Sequence, residues 1–230
     1  MKTLGLMGGL TWLSTIEYYR LINQGVNARL GASHSAKCVV FSVDFEPIRG
    51  ITASHDWDAF LEIAVGVGQS LRAAGADAIV LCANTAHAVA DRLQQRIDVP
   101  VIHLVDALAA EIKHAGLDNV ALLGTRYTME MDFFRDRLKK HGIIATVPGT
   151  ADRDFIHASI FEELGKEIFL PATKQRYQDI IGGLANGGAQ GCVLGCTEIP
   201  LIIKQADSPV PVFDTTAIHA AAAVDFALSS

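Results

Sequence analysis

The sequence lacks any long apolar run. Its longest apolar segments, residues 78–81 and 220–224, are far shorter than the roughly 20 apolar residues that a membrane-crossing helix needs. Near Met1 it also lacks an apolar segment followed by small residues, the pattern that directs export. Although 50% of the 230 residues are hydrophobic, enough to bury one large core or two modest ones, we expect no membrane partner and a cytoplasmic location.

Positive charge is scarce and scattered. The chain has 19 Lys and Arg against 25 Asp and Glu, a net charge of −6. Its densest basic group, within residues 135–140, alternates with acidic and apolar side chains on a predicted helix, which is typical of a solvated face. Since phosphate binding needs clustered lysines and arginines, the composition argues against a nucleic-acid partner.

Metal and nucleotide motifs are missing as well. The four cysteines have no secretory context, so free thiols are expected rather than a disulfide framework. Cys38 and Cys192 lie inside apolar strand patterns and are interpreted as buried, inert thiols. Cys192 and Cys196 have no second cysteine pair to complete a zinc site, and the Gly8-Gly9 turn lacks the residues of a nucleotide-binding loop. We therefore expect no metal site.

The sequence does contain an internal repeat. Residues 77–85, D-A-I-V-L-C-A-N-T, return as residues 190–198, Q-G-C-V-L-G-C-T-E, and a Gly-Ala pair precedes each copy. Each copy is typical of a short buried strand that ends in a small polar cluster led by a cysteine, Cys82 or Cys196. Two further pairs of segments match in the same order: residues 4–9 with 120–125, and 100–102 with 211–213. One ancestral unit used twice is indicated, with a thiol at the matching place in each half.

Strand and helix patterns alternate through both halves. Such alternation favours right-handed crossovers and parallel sheets, here two smaller sheets, so the predicted fold class is α/β. We also predict a helix over residues 16–30 capped by Ser14, a loop over 44–55 and one helix over 85–96. Ligands of such sheets gather at the carboxyl ends of the strands, where both cysteines and both glycine turns lie. All four features are therefore expected to face one cleft.

The two cysteines favour acid–base chemistry. A thiol has a reference pKa of about 8.5, so little of it is thiolate at neutral pH unless the anion is stabilised. Asn84, Thr85 and Thr197 follow the cysteines at the start of helices or turns, where N–H groups and hydroxyls suit an anion such as a substrate carboxylate. Two such clusters suit removal of a proton from one face of a carbon and its return to the other, as in racemisation or epimerisation.

An alternative is a nucleophilic thiol, Cys82, with His87 as its base. That alternative leaves Cys196 unexplained. His87, His103 and His219 are interpreted as satisfied helix or strand-end residues, and Glu198 as a residue that caps or orients its loop.

Four segments carry a resemblance to a known family: G-L-M-G-G-L-T-W-L-S-T at residues 5–15, C-A-N-T-A-H at 82–87, L-L-G-T-R-Y-T-M at 122–129 and G-C-T-E at 195–198. They closely resemble the aspartate/glutamate racemase family of cofactor-independent amino-acid racemases, including its branch of broader specificity. The resemblance runs from end to end. Related maleate isomerases and hydantoin racemases share that fold with altered chemistry.

The resemblance implies two Rossmann-like lobes related by pseudo-twofold symmetry, residues 1–103 plus 214–230 and residues 104–213, with the substrate between them. It implies an isomerase that needs no pyridoxal phosphate or other cofactor, has an amino acid as its small-molecule substrate and is a homodimer. Cys82 and Cys196 would be the paired acid and base. The residues implied to contact the substrate are Leu10, Arg49, Ala83, Asn84, Thr85, Thr125 and Thr197.

The sequence departs from the family pattern at one place. Dicarboxylate-specific members carry a tyrosine and, four residues on, a lysine in a helix of the second lobe, whereas Phe161 and Gly165 stand here. Lys166 is one position off, and one residue turns a helix by about 100 degrees. We therefore expect activity on aspartate or glutamate with some tolerance for other polar amino acids. An isomerase or decarboxylase of dicarboxylic acids, or a non-catalytic amino-acid-binding protein, are the alternatives.

Overall fold

The computed structural model describes residues 1–229, which form two compact units. Unit 1 comprises Met1–His103 together with the chain from His219 onward, and unit 2 comprises Leu104–Ile218. The strands are β1 Leu4–Gly8, β2 Cys38–Ser42, β3 Ala78–Leu81, β4 Val101–Ile102, β5 Asn119–Gly124, β6 Ile144–Thr146, β7 Gly191–Gly195 and β8 Val212–Asp214. The α-helices are α1 Trp12–Leu30, α2 Phe45–Ala53, α3 Trp57–Ala73, α4 Ala90–Gln94, α5 Leu104–His114, α6 Arg126–Glu130, α7 Asp132–Lys140, α8 Thr150–Glu162, α9 Pro171–Asn186, α10 Ile199–Ile202 and α11 Thr215–Leu228.

The sheet of unit 1 has four parallel strands in the order β2-β1-β3-β4. Side chains alternate between its faces. Leu6 and Val80 pack against α1 and α11, whereas Met7 and Leu81 pack against α2, α3 and α4. Because helices cover both faces, the central strands are apolar at nearly every position rather than at every second one.

The sheet of unit 2 repeats this topology. Its four parallel strands follow the order β6-β5-β7-β8. Val120 and Leu122 belong to a cluster with α5 and α7, whereas Ala121 and Leu123 belong to one with α8, α9 and α10. The predicted α/β class, two small parallel sheets each flanked by helices, is confirmed.

The predicted loop over residues 44–55 is wrong, because residues 45–53 form α2. Asp44 caps this helix by accepting a hydrogen bond from the Glu46 N–H at 3.3 Å. Pro47 lies in the first turn, where the missing N–H would have no helical partner anyway. A side chain at Gly50 would meet no atom within 4 Å, so this glycine reflects no steric need and does not mark a turn.

Two predicted helix boundaries also need correction. α1 begins at Trp12, and its cap is Thr11, whose hydroxyl accepts from the Ser14 N–H at 3.4 Å. The single helix predicted over residues 85–96 is a 3₁₀ helix, Thr85–Val89, followed by the short α4. Asn84 itself has helical backbone angles, so the chain turns directly after the Cys82 strand.

The border between the units near the C-terminus falls within α11, between Ile218 and His219. The sequence-based division at residues 213 and 214 stays a prediction about the lobes. Within residues 1–229, no helix combines the length and the apolar character needed to cross a membrane.

Candidate active site

The Gly8-Gly9 turn lies at the carboxyl end of β1. Gly9 has a φ of 87°, and a Cβ added to it would lie 2.2 Å from the Val43 carbonyl oxygen. Its N–H donates to the Thr15 hydroxyl at 2.8 Å, and the Val43 N–H donates to the Gly8 carbonyl at 3.0 Å. Glycine is therefore required at position 9, and the turn leads directly to the buried Leu10.

The Cys82 loop, residues 82–85, follows β3 beside this turn. The Cys82 N–H donates to the Met7 carbonyl at 3.0 Å, and the Cys82 carbonyl accepts a hydrogen bond from the Ser14 hydroxyl. The thiol is buried and donates to the Val80 carbonyl, with the sulfur 3.7 Å from that oxygen. Burial raises the pKa of Cys82 well above its ordinary value, and the nearby Cys38 thiol raises it further. This structure therefore holds Cys82 as a protonated thiol.

The residues after Cys82 line the same strand end. Asn84 is buried, and Ala83 and Thr85 are partly buried. The His87 N–H donates to the Asn84 carbonyl at 3.0 Å, which closes the first turn of the 3₁₀ helix. The Cys82 loop thus carries small and polar side chains directly after the thiol.

The Cys196 loop, residues 196–198, follows β7 in unit 2. The Cys196 sulfur lies 2.8 Å from Oε2 of Glu198, and the Thr197 hydroxyl donates to that same oxygen at 2.8 Å. Glu198 is buried, whereas Cys196 is only partly buried. The thiol is therefore the donor of a hydrogen bond to a carboxylate.

Three effects raise the pKa of Cys196 well above its ordinary value. The largest is burial, followed by the negative charge of Glu198 and the hydrogen bond between the two side chains. The carboxylate opposes a second negative charge on sulfur, yet it is also placed to receive the thiol proton. Glu198 thus contacts a candidate base directly, which goes beyond the loop-orienting role interpreted from the sequence.

Thr125 marks the end of β5 in unit 2. It is buried and caps α6 by accepting from the Thr128 N–H at 3.4 Å. The next N–H, that of Arg126, donates to Nδ1 of His157 at 3.1 Å. In the repeat that pairs residues 4–9 with 120–125, Thr125 takes the place of Gly9, one residue before Leu10 in unit 1.

Arg49 lies on α2 and not in a loop. Its side chain is 63% exposed, and its nearest ion-pair partner, Glu46, is 3.8 Å away and 82% exposed. Such a pair contributes little to stability. The guanidinium is therefore only weakly engaged in this structure.

The structure explains why residues 161–166 differ from the tyrosine and lysine pattern of dicarboxylate-specific family members. Phe161 is partly buried on α8, its ring edge-to-face with His157 at 5.0 Å. α8 ends at Glu162, and a Cβ on Gly165 would lie 2.9 Å from the Ile160 carbonyl oxygen. Lys166 instead pairs with Glu162 at 2.6 Å on the surface. A lysine at position 165 would need a shift of the backbone.

The two remaining cysteines, Cys38 and Cys192, differ in burial. Cys192 is fully buried in β7, and burial raises its pKa to about 12, as expected for an inert thiol. Cys38 is only partly buried, so the prediction of a buried thiol is wrong there; burial still raises its pKa. Within residues 1–229, no three His, Cys, Asp or Glu side chains group in a way that could hold a metal ion.

A family model decides the identity. The model of the Asp/Glu/hydantoin racemases matches residues 7–223, nearly the whole chain. The chain belongs to the Asp/Glu racemase family. The resemblance stated from its motifs is therefore confirmed.

Solved structures and a curated relative agree with this racemase assignment. A Yersinia pestis protein proposed to be an Asp/Glu racemase is 48% identical, covers 100% of both chains and has a TM-score of 0.94. An aspartate racemase homologue from Pyrococcus horikoshii OT3 is 32% identical over 100% of both chains, with a TM-score of 0.88. The broad specificity amino-acid racemase RacX of Bacillus subtilis (strain 168) is 23% identical over 74% of this chain and 73% of its own. As a member of a racemase family, the protein is an isomerase.

The contact of Glu198 with the thiol leads to a prediction for this racemase. Glu198→Gln keeps the side-chain shape but removes the charge and the ability to receive a proton. We expect racemisation to fall by about 10- to 100-fold, since the Cys196 thiol loses the carboxylate that accepts its hydrogen bond. The pKa of Cys196 should fall at the same time, so alkylation by iodoacetamide at neutral pH should become faster. Peptide mass spectrometry and a racemisation assay measure the two changes.

The matched control is Glu162→Gln, which removes a carboxylate from the surface pair with Lys166 in the same unit. This control should leave both the racemisation rate and the rate of Cys196 alkylation unchanged. Slower alkylation of Cys196 in Glu198→Gln would contradict this electrostatic account.

Proposed function

We propose that this racemase interconverts the enantiomers of aspartate and glutamate, tolerates some other polar amino acids, and uses Cys82 and Cys196 as its two bases. The observation that carries the proposal is the matched placement of the thiols. Each directly follows the strand that pairs with the first strand of its unit, β3 with β1 and β7 with β5. Each is also followed by small polar residues.

The mechanism needs one thiolate and one thiol at the start of each turnover. The thiolate takes the α-proton from one face of the substrate, and the thiol gives a proton to the opposite face. The reaction ends with the two protonation states exchanged, ready for the other enantiomer. Because burial raises the pKa of both cysteines, each thiolate is a stronger base than an exposed one, as removal of a weakly acidic Cα–H requires.

The substrate α-carboxylate is proposed to bind to Asn84, Thr85 and Thr197, with Leu10, Ala83 and Thr125 beside it. Support comes from two buried polar side chains at strand ends: Asn84 lies in the Cys82 loop after β3, and Thr125 directly follows β5. Hydroxyls and amide N–H groups are suitable donors for a carboxylate.

Arg49 is proposed to bind the side-chain carboxylate of acidic substrates. A buried carboxylate without a cationic partner is costly, and the family's lysine place is occupied by Gly165. Arg49→Ala should lower kcat/KM for aspartate and glutamate by about 10- to 100-fold, since a charged group loses its partner. Uncharged amino acids should be affected far less.

The control for this prediction is Arg72→Ala, which removes an exposed arginine that pairs with Asp98 on the surface of the same unit. It should change no substrate's kcat/KM. Equal losses for acidic and uncharged substrates in Arg49→Ala would show that Arg49 only supports α2.

Chiral chromatography tests the function itself. Each pure enantiomer is incubated with the enzyme without added cofactor, and the opposite enantiomer is measured. Appearance of the antipode of aspartate or glutamate supports the proposal. Conversion of dicarboxylic acids that lack an amino group, or binding without conversion, would favour the two alternatives instead.

We also propose that the enzyme is a cytoplasmic homodimer whose lobes are residues 1–103 plus 214–230 and residues 104–213. An exposed apolar stripe on α1, formed by Trp12, Ile16 and Tyr19, supports an association surface. The spacing of these residues places them on one face of the helix. Sedimentation equilibrium measures the oligomeric state.

A further inference from the structure

Tyr18, His87, His103 and His219 gather behind the Cys82 loop in unit 1. The ring of His87 lies 5.2 Å from that of His219 and 4.9 Å from that of His103, both edge-to-face. The ring of Tyr18 meets that of His219 edge-to-face at 5.5 Å. Tyr18, His87 and His219 are buried. Three imidazoles thus pack together without a part in the proposed acid–base step.

His219 is held as a neutral imidazole. Its Nε2 lies 2.7 Å from the Ile102 carbonyl oxygen, which can only accept, so Nε2 carries the proton. Its Nδ1 therefore accepts from the Tyr18 hydroxyl, 2.9 Å away. Burial, and then the proximity of His87, lowers the pKa of His219 to about 3. His219 thus offers the His87 ring an uncharged neighbour in a fixed orientation.

His87 joins this group to the Cys82 loop. Its Nδ1 lies 3.0 Å from the Ala83 carbonyl oxygen and must be the donor. The preceding carbonyl, that of Cys82, accepts from the Ser14 hydroxyl. Two successive carbonyl groups of the loop are therefore bound by buried side chains, which restricts rotation of both neighbouring peptide planes.

We propose that His87 is the positioning residue of the Cys82 loop. Its Nδ1–H bond to the Ala83 carbonyl, with the ring braced by His103 and His219, sets the orientation in which Cys82 presents its thiol. The orientation of the loop depends on a hydrogen-bond donor to the Ala83 carbonyl at the position of Nδ1, and an aromatic ring of the same size does not replace that donor. The consequence for catalysis rests on the proposed function of Cys82, whereas the effect on the loop does not.

Two variants separate the donor from the ring. His87→Phe keeps an aromatic ring but has no donor, and His87→Asn keeps an amide donor near the place of Nδ1 but has no ring. Alkylation of Cys82 by iodoacetamide is measured by peptide mass spectrometry, and hydrogen exchange of β1 and β3 shows that unit 1 stays folded. We expect alkylation about tenfold faster in His87→Phe, because the loop opens locally, and close to the wild-type rate in His87→Asn.

Kinetics supply a second readout. His87→Phe should lower kcat by about 10- to 100-fold with little change in KM, because a small misplacement of a reacting group costs rate rather than binding. His87→Asn should restore most of kcat. Tyr18→Phe, which removes the hydrogen bond to His219 but leaves the Ala83 carbonyl bound, should resemble wild type in both assays.

Faster alkylation in His87→Asn than in His87→Phe would overturn the proposal, because the ring would then matter more than the donor. So would a Tyr18→Phe variant that behaves like His87→Phe, since the whole cluster would then be responsible. Because labelling needs no substrate, the predicted order would support the positioning role even in a protein that racemised no amino acid.

Discussion

Replacing Cys82 or Cys196 by alanine is expected to lower racemisation by about 10³-fold or more, because each substitution removes one of the two proton carriers of the proposed mechanism. Cys38→Ala and Cys192→Ala are the matched controls, one in each unit, and should retain activity of the wild-type order. Both forward and reverse rates should fall together in each catalytic variant, since enantiomers have equal free energies. A chiral assay of purified variants measures these rates.

Solvent exchange in the same variants should reveal which thiol serves which enantiomer. A variant with one remaining base can remove the α-proton from one face and return deuterium from solvent to that face. Cys82→Ala and Cys196→Ala should therefore each exchange the α-proton of one enantiomer only, and opposite enantiomers in the two cases. Exchange of the same enantiomer by both variants would contradict a two-base mechanism.

Gly9→Ala is expected to lower the free energy of unfolding by about 3–5 kcal/mol, near the upper end for single substitutions. Gly9 has a φ of 87°, and its Cβ would lie 2.2 Å from the Val43 carbonyl oxygen and 2.4 Å from the Val43 nitrogen. Both are backbone atoms, so no side-chain rotation relieves the contact. Urea denaturation measures the loss.

Gly75→Ala is the matched control for this prediction. Gly75 has a similar φ of 92°, but a Cβ there meets no atom within 4 Å. The Gly75→Ala substitution should therefore lower the free energy of unfolding only by the strain of a left-handed backbone, about 1–2 kcal/mol. Equal losses at positions 9 and 75 would mean that the backbone angle alone explains the need for Gly9.

The alternation of strand and helix patterns, together with the repeated segments, was enough to predict the fold class. Buried parallel strands appear as apolar runs that end in glycine or cysteine, and both units keep that signal. The helix α2 was missed because Pro47 and Gly50 usually interrupt helices. A proline in the first turn, after the Asp44 cap, and a glycine on an open helix face are compatible with a helix.

The cysteine positions could be predicted from the sequence, but their hydrogen-bond partners could not. Ser14 lies far from Cys82 in the chain and reaches its carbonyl only because α1 packs beside β3. Glu198 is two residues from Cys196, yet its contact with the thiol depends on the backbone turn after β7. Long-range contacts and local turn geometry of this kind leave no periodic signal in a single sequence.

Incubation of L-aspartate with wild-type enzyme in deuterated water, without added cofactor, tests the two-base account most directly when the enantiomers are separated by chiral chromatography and their deuterium content is measured by mass spectrometry. Early in the reaction, the D-aspartate formed should carry deuterium at Cα while the remaining L-aspartate keeps its proton, because one thiol removes the proton and the other supplies deuterium from solvent. D-aspartate that retains the original proton, or the absence of any α-proton exchange with either aspartate or glutamate, would contradict it.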